Sequence, residues 1–318
     1  MTSLDLPDFH LPRHPVRAVV TRTGLSAHVL RAWERRYGLV SPTRTAAGQR
    51  LYSDADIAQL TLLRTLAAAG ERVSLLARLP IEELQRLAQT APLPTVATTV
   101  ELRHSGEWRR DALEAIESMD ATSLRRGLER GAVALGVPRL LEEVVTPVFL
   151  EIGERWHAGR MTIAQEHLAS EALRQVLGWF REVAEAGKAA PGLVVGTPPG
   201  QVHEGGALMA AAIAACEGWR VSYLGADLPV AEIADSARRT GARAVALSIV
   251  YPADDPEIGN HIRSLGRALP QGVTLMVGGA AATAYADAIT DAKGKLLQNL
   301  GNLRDTLREL GVTASGPA

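Results

Sequence analysis

From residue 192 onward, short apolar runs alternate with stretches of helical periodicity. The runs are GLVVGTP, WRVSYLGAD, RAVALSIVY and TLMVGGAA, with a weaker KLLQNL; between them lie patterns such as GALMAAAIAAC and VAEIADSARRTG. Strands joined through helices run parallel, and a parallel sheet needs helices on both faces. Residues 191–312 are therefore expected to form a Rossmann-like (flavodoxin-like) parallel-sheet domain. Nothing upstream has this rhythm. Residues 13–88 are arginine-rich and helical in pattern, and residues 101–187 are helical again, with apolar positions such as Leu124, Leu128 and Leu135. The prolines and β-branched run of APLPTVATTV (91–100) and the small residues of AGKAAPG (186–192) separate the three segments.

The formal net charge of −1 hides an uneven distribution. Residues 13–50 hold eight arginines and one acid, Glu34, a local charge of +7 that leaves −8 on the rest. A basic end on an acidic body is expected where one module meets nucleic acid and the other does not. Hydrophobic residues at 47% and charged residues at 22% exclude a wholly disordered chain. The single cysteine, Cys216, excludes an intrachain disulfide and points to a reducing compartment. No apolar run reaches the roughly 20 residues of a membrane span, and MTSLDLPDFHLPRHP lacks a signal-peptide core. These features lead to an expectation of a cytoplasmic protein with no membrane partner.

In the basic segment, Ser26 is placed to cap a helix, AHVLRAWERRYG, that Gly38 ends. VRAVVTRTG before it fits a shorter helix, giving a helix-turn-helix whose second helix enters the major groove. Arg31, Arg35 and Arg36 would offer guanidinium groups to phosphates or guanine edges, and Trp33 and Tyr37 would pack. SPTRTAAGQRLYS reads as a two-stranded wing turning at Gly48, flanked by Arg44 and Arg50; Ser53 restarts a helix. The bland alternative is a solvated, arginine-rich surface. RAWERRYGL followed by GQRLYSDADI resembles the DNA-binding module of MerR-type regulators, which bind near-palindromic promoter DNA as dimers. The resemblance implies DNA contacts from Arg17, Arg31, Arg35, Arg36, Arg44, Arg50 and Tyr52. The long dimerisation helix usual in that family is not evident, because LPIEELQRLAQTAPLP stops at Pro92. Assembly would then fall to the C-terminal body.

TPPGQVHEGG (197–206) follows a strand and precedes an alanine-rich helix, so His203 sits in a loop at the carboxyl end of a parallel strand, where open α/β sheets bind ligands. Taken alone, a loop histidine is more often a polar surface residue. Two further strand ends share that sheet edge: SIV (248–250), with 41 residues between Gly206 and Ser248, and VGGAA (277–281), with 27 residues between Val250 and Gly278. The set resembles the cobalamin-binding signature Asp-x-His-x-x-Gly, then Ser-x-Leu, then Gly-Gly. It implies that His203 is the lower axial ligand to cobalt. Ser248 would contact the displaced dimethylbenzimidazole, with Gly206, Val250, Gly278 and Gly279 lining its slot. The chain departs from the pattern at Gln201, which replaces the acid, and at Val250, which replaces Leu; a neutral amide can still accept from the imidazole N–H but should raise its basicity less.

ERWHAGRMTIAQEH places nine residues between Trp156 and the pair Glu166 and His167. By itself this reads as a core tryptophan and a polar helix surface. Beside the cobalamin signature it resembles the Trp-x9-Glu-His motif of CarH/LitR-type light-responsive repressors. That resemblance implies a four-helix bundle capping the upper face of the corrin, with Trp156, Ile163, Glu166 and His167 around the 5′-deoxyadenosyl group. His157 would be at hand to ligate cobalt once that group leaves. The chain is thus expected to be a non-enzymatic regulator of winged helix-turn-helix, bundle and Rossmann-like parts. Adenosylcobalamin would be its chromophore and operator DNA its partner, with a tetramer in the dark and a monomer or dimer in light. The alternatives are a methyltransferase-like cobalamin carrier, which the arginine-rich module argues against, and a MerR-type regulator that senses another ligand or chromophore, such as a bilin, or acts without cobalamin.

Overall fold

The computed structural model describes residues 9–45, 48–68, 71, 73–90, 104–183, 186 and 189–312. The APLPTVATTV break and most of AGKAAPG before Ala189 lie outside them. Contacts divide the chain into two units, the first ending at Gln165 and the second beginning at Glu166.

The first unit opens with β1 (His14–Pro15), α1 (Val16–Thr23), α2 (Ala27–Tyr37), β2 (Thr43–Arg44), β3 (Arg50–Tyr52), α3 (Asp54–Ala68), α4 (Val73–Leu76) and α5 (Ile81–Thr90). Each boundary has a local cause. Gly24 closes α1 at φ 68° and Gly38 closes α2 at φ 61°, both left-handed positions that glycine adopts without strain. Ser26 Oγ accepts from Val29 N at 3.2 Å and so satisfies an orphan donor of α2. At α3, Ser53 Oγ accepts from Asp56 N at 3.1 Å while Asp56 accepts from Ser53 N at 2.8 Å, a reciprocal capping box. Val19, Leu25, Leu30, Trp33, Leu60 and Leu63 form a buried core beneath these helices. The wing is one strand larger than expected, because the antiparallel order is β1-β3-β2. His14–Pro15 pairs with Leu51–Tyr52; two residues, one of them proline, carry no alternation to read.

The unit continues with α6 (Ser105–Glu117), α7 (Ala121–Leu135), α8 (Val137–Leu140), a π-helical turn at Leu141–Val145 and α9 (Thr146–His157). The π turn runs into Pro147, which has no N–H to continue the regular ladder. Ile116, Leu124, Leu128, Leu141, Val144 and Ile152 are buried here, and α3 lies against α7.

The unit boundary falls inside α10 (Ile163–Val183). The second unit then alternates: β4 (Gly192–Gly196), α11 (Gly205–Cys216), β5 (Arg220–Gly225), α12 (Val230–Thr240), β6 (Ala242–Ser248), α13 (Pro256–Ala268), β7 (Thr274–Gly278), α14 (Ala286–Asp291), β8 (Lys295–Leu296) and α15 (Leu300–Val312). All five strands are parallel, in the order β5-β4-β6-β7-β8. Every residue of β4 is buried, as an apolar central strand covered on both faces requires. Burial pushes the Cys216 thiol up to about 12, so it is not a thiolate near neutral pH.

Two glycines make the contrast between strain and crowding. Gly279 sits at φ 107°, and a Cβ there would collide with the backbone of Ile249; Gly272 sits at φ 86° with nothing within 4 Å. Gly279→Ala is expected to destabilise the α/β domain by about 2–3 kcal/mol and Gly272→Ala by about 1 kcal/mol, read from urea unfolding of the full chain.

Candidate functional site

The strand order puts the topological switch between β4 and β6, whose following connections leave to opposite sides of the sheet. A crevice opens at such a point, and the sequence-identified residues converge on it. The loop after β4 carries Gln201 and His203, α11 opens with Gly205 and Gly206, and Ser248 ends β6 opposite Gly278 of β7.

The loop is laced to both neighbours. On the β5 side, the fully buried Thr197 donates its hydroxyl to Gln201 O and accepts from Asp227 N at 2.9 Å. Asp227 Oδ1 accepts from Gly200 N at 2.8 Å. On the β6 side, the buried Gln201 amide accepts from Val250 N at 2.9 Å and donates Nε2 to Tyr251 O. The Gln201 amide is therefore directed at the connection after β6 and not at His203. The imidazole of His203 is exposed and makes no hydrogen bond among the described residues.

Ser248 Oγ is buried, with the residue 5% exposed, and has no hydrogen-bond partner among the described residues. A native hydroxyl left in this state signals a partner still to come. Gly206 faces it, and any Cβ there would strike Ser248 Oγ. The space freed by the glycine pair is taken up by the fold. A Cβ on Gly278 would meet Leu297 at 3.3 Å, and one on Gly279 would meet Ile249. Val202 in the loop is 66% exposed and Tyr251 after β6 is 62% exposed, so large apolar surface is left uncovered at the rim of the crevice. Sequence reasoning passed over Thr197, Asp227, Tyr251 and Glu204. Only Asp227, a non-glycine residue at φ 57°, lies in a turn-like GADLP context that could have drawn notice.

In the helical segment, Trp156 near the end of α9 is 45% exposed, and Ile163 at the start of α10 is 62% exposed. The side chain of His157 lies outside the described residues. Glu166 accepts from Ser170 Oγ at 2.7 Å, and the exposed His167 lies 3.6 Å from Glu166.

The basic module sorts its own arginines. Arg13 and Arg22 bond Asp54, whose carboxyl is held well below its usual range by Arg13, His14 and Arg22. Arg50 pairs with Glu34 at 3.2 Å, and Tyr52, 0% exposed, donates its hydroxyl to the same carboxylate. Tyr52 is thus a core residue and not a DNA contact: burial first, and then the Glu34 bond, push its hydroxyl far above its ordinary value. Arg50 is likewise committed to Glu34. Arg31 is half-buried, with its Nε unpartnered among the described residues, while Arg17, Arg35, Arg36 and Arg44 are exposed.

Family models match in three consecutive segments: a MerR HTH family regulatory protein over residues 15–79, and B12 binding domains over residues 108–180 and 191–310. The HTH-type transcriptional repressor CarH of Myxococcus xanthus is 33% identical over 262 residues, covering 82% of this chain and 87% of that protein. The chain belongs to the CarH-type family. It is a cobalamin-binding, MerR-class transcriptional regulator that binds DNA, and not an enzyme. The repressor CarA of the same organism is 27% identical over 86% of this chain and 89% of its own length. The fold of the Methanosarcina barkeri monomethylamine corrinoid protein matches with a TM-score of 0.52 at 15% identity, over 65% of this chain and 99% of that one. Among the described residues of this CarH-type chain, no helix is long and apolar enough to cross a membrane.

The residues present fit a corrinoid: an exposed histidine at the switch point, an orphaned hydroxyl opposite a bare glycine, and an apolar rim. The arginine sorting also carries a prediction. Arg35→Ala in the full chain should lower operator affinity and reduce the slope of log affinity against log salt by about 1. Tyr52→Phe should leave that slope unchanged and cost the module about 1–2 kcal/mol of stability.

Proposed function

We propose that this regulator is a light-responsive repressor that uses adenosylcobalamin. One observation carries the cofactor reading: the loop after β4 bears an exposed His203 imidazole, unbonded among the described residues, at the same switch point where β6 ends in the orphaned Ser248 hydroxyl. On this reading His203 would supply the protein's nitrogen ligand to cobalt, and Ser248 would offer a hydrogen bond to the nucleotide tail, in a slot that Gly206 keeps open. Gln201 holds the carboxyl ends of β4 and β6 together around that slot. Val250, Gly278 and Gly279 shape its wall through their backbone.

Trp156, Ile163, Glu166 and His167 are assigned to the adenosyl group: the indole would stack on adenine, and the carboxylate would accept from ribose hydroxyls. His157 is the candidate upper ligand after light. The exposure of Trp156 and Ile163 supports a role in covering a ligand, as exposed large apolar side chains gain from being buried. When bound, the cofactor supplies a photolabile cobalt–carbon bond. Arg17, Arg35, Arg36 and Arg44 would meet operator phosphates and bases, with Arg31 behind them. Assembly into a dark tetramer would multiply these modest contacts through effective concentration, and dissociation in light would release the promoter.

The test uses the full chain loaded with adenosylcobalamin in darkness. The expected result is a tetramer that shifts operator DNA. Green light should change its visible spectrum, move its elution to that of a monomer or dimer, and release the DNA. Unchanged elution and an unchanged spectrum after illumination would refute the photoreceptor reading.

A further inference from the structure

Glu204 follows His203 directly and immediately precedes α11. Both of its carboxylate oxygens are engaged. Oε1 accepts from Arg174 Nε at 2.9 Å and from a second nitrogen of the same guanidinium; Oε2 accepts from the Tyr223 hydroxyl at 2.5 Å. Tyr223 lies on β5 and Arg174 on α10, so three separate elements meet on one side chain next to His203. Arg174 is further fixed within α10 by Glu171 at 2.8 Å.

Two properties set this cluster apart from an ordinary surface ion pair. The Glu204 side chain is only 19% exposed, so its charge is poorly screened and depends on its partners. His203, by contrast, makes no hydrogen bond among the described residues, and the Gln201 amide is turned away to Val250 and Tyr251. Among the described residues, the hydrogen-bonded side chains nearest the imidazole in the loop are thus Gln201, two residues before it, and Glu204, one residue after it. Val202 between them is exposed and holds nothing.

We propose that Glu204 is the positioning residue of His203, clamped by Arg174 and Tyr223 so that the imidazole is presented to cobalt. The proposal rests on the cobalamin reading above. Arg174 lies two helical turns after His167 on the same face of α10, so the clamp also joins the axial loop to the helix that carries Glu166 and His167.

The test loads the full chain with methylcobinamide, which lacks the benzimidazole that could itself ligate cobalt, and reads its colour, red with a nitrogen ligand on cobalt and yellow without one. His203→Ala defines the ligand-free limit. Glu204→Ala and Arg174→Gln should each lower the ratio of histidine-bound to unbound cofactor by about three- to tenfold. Tyr223→Phe should lower it less. The exchange pair Arg174→Glu with Glu204→Arg should recover part of the loss, which a general packing defect would not. Arg174 is half exposed, so its variant tests the clamp even if Glu204→Ala fails to fold. Wild-type ratios in both Arg174→Gln and Glu204→Ala would overturn the proposal. Failure of the unaltered chain to bind methylcobalamin would instead overturn the cobalamin reading beneath it.

Discussion

The site depends on one buried hydroxyl. Thr197, at the end of β4, donates to Gln201 O and accepts from Asp227 N, and it is fully removed from water. A loop leaving a central parallel strand has no ladder to hold it, yet its polar groups are too deep to be left to solvent. Thr197 solves this toward β5, and the Gln201 amide solves it toward β6. With both sides tied, His203 and Glu204 leave the sheet edge in a fixed direction, and α11 starts where Gly206 can face Ser248. The crevice at the switch point follows from strand order; its occupancy by these residues follows from the lacing.

Much of this was legible in local pattern. The alternation after residue 192 specifies the parallel sheet because a doubly covered strand must be apolar throughout, as β4 is. Ser26, Gly38 and Ser53 mark helix ends because capping chemistry acts within a few residues. Side chains whose partners lie far along the chain left no such trace. The amide of Gln201 reaches residues 49 and 50 positions away, and Glu204 is held by an arginine 30 positions before it. The Gly278–Gly279 pair reads as open space in sequence, but its space belongs to Leu297 and Ile249. Tyr52 reads as a wing residue facing DNA; whether a wing residue points in or out depends on a register that the unrecognised β1 helps to set.

The same distinction bears on the charge asymmetry. The +7 of residues 13–50 is not all directed outward, since Arg13, Arg22 and Arg50 answer Asp54 and Glu34 within the module. The module uses part of its charge to hold α3 and the wing against α1 and α2. The exposed arginines on α1, α2 and β2 are the ones that a polyanion can approach. An acidic body joined to such a module suits a regulator whose sensing part must not itself adhere to DNA.

The central claim is that His203 places a protein nitrogen on cobalt. The direct measurement is electron paramagnetic resonance of the cob(II)alamin form bound to the full chain grown with nitrogen-15 histidine. If His203 is the axial ligand, the triplet superhyperfine splitting of natural nitrogen becomes a doublet in the labelled protein, and His203→Ala abolishes the change. A triplet that persists in the labelled protein would mean that the cofactor's own benzimidazole remains on the metal, and would contradict the account.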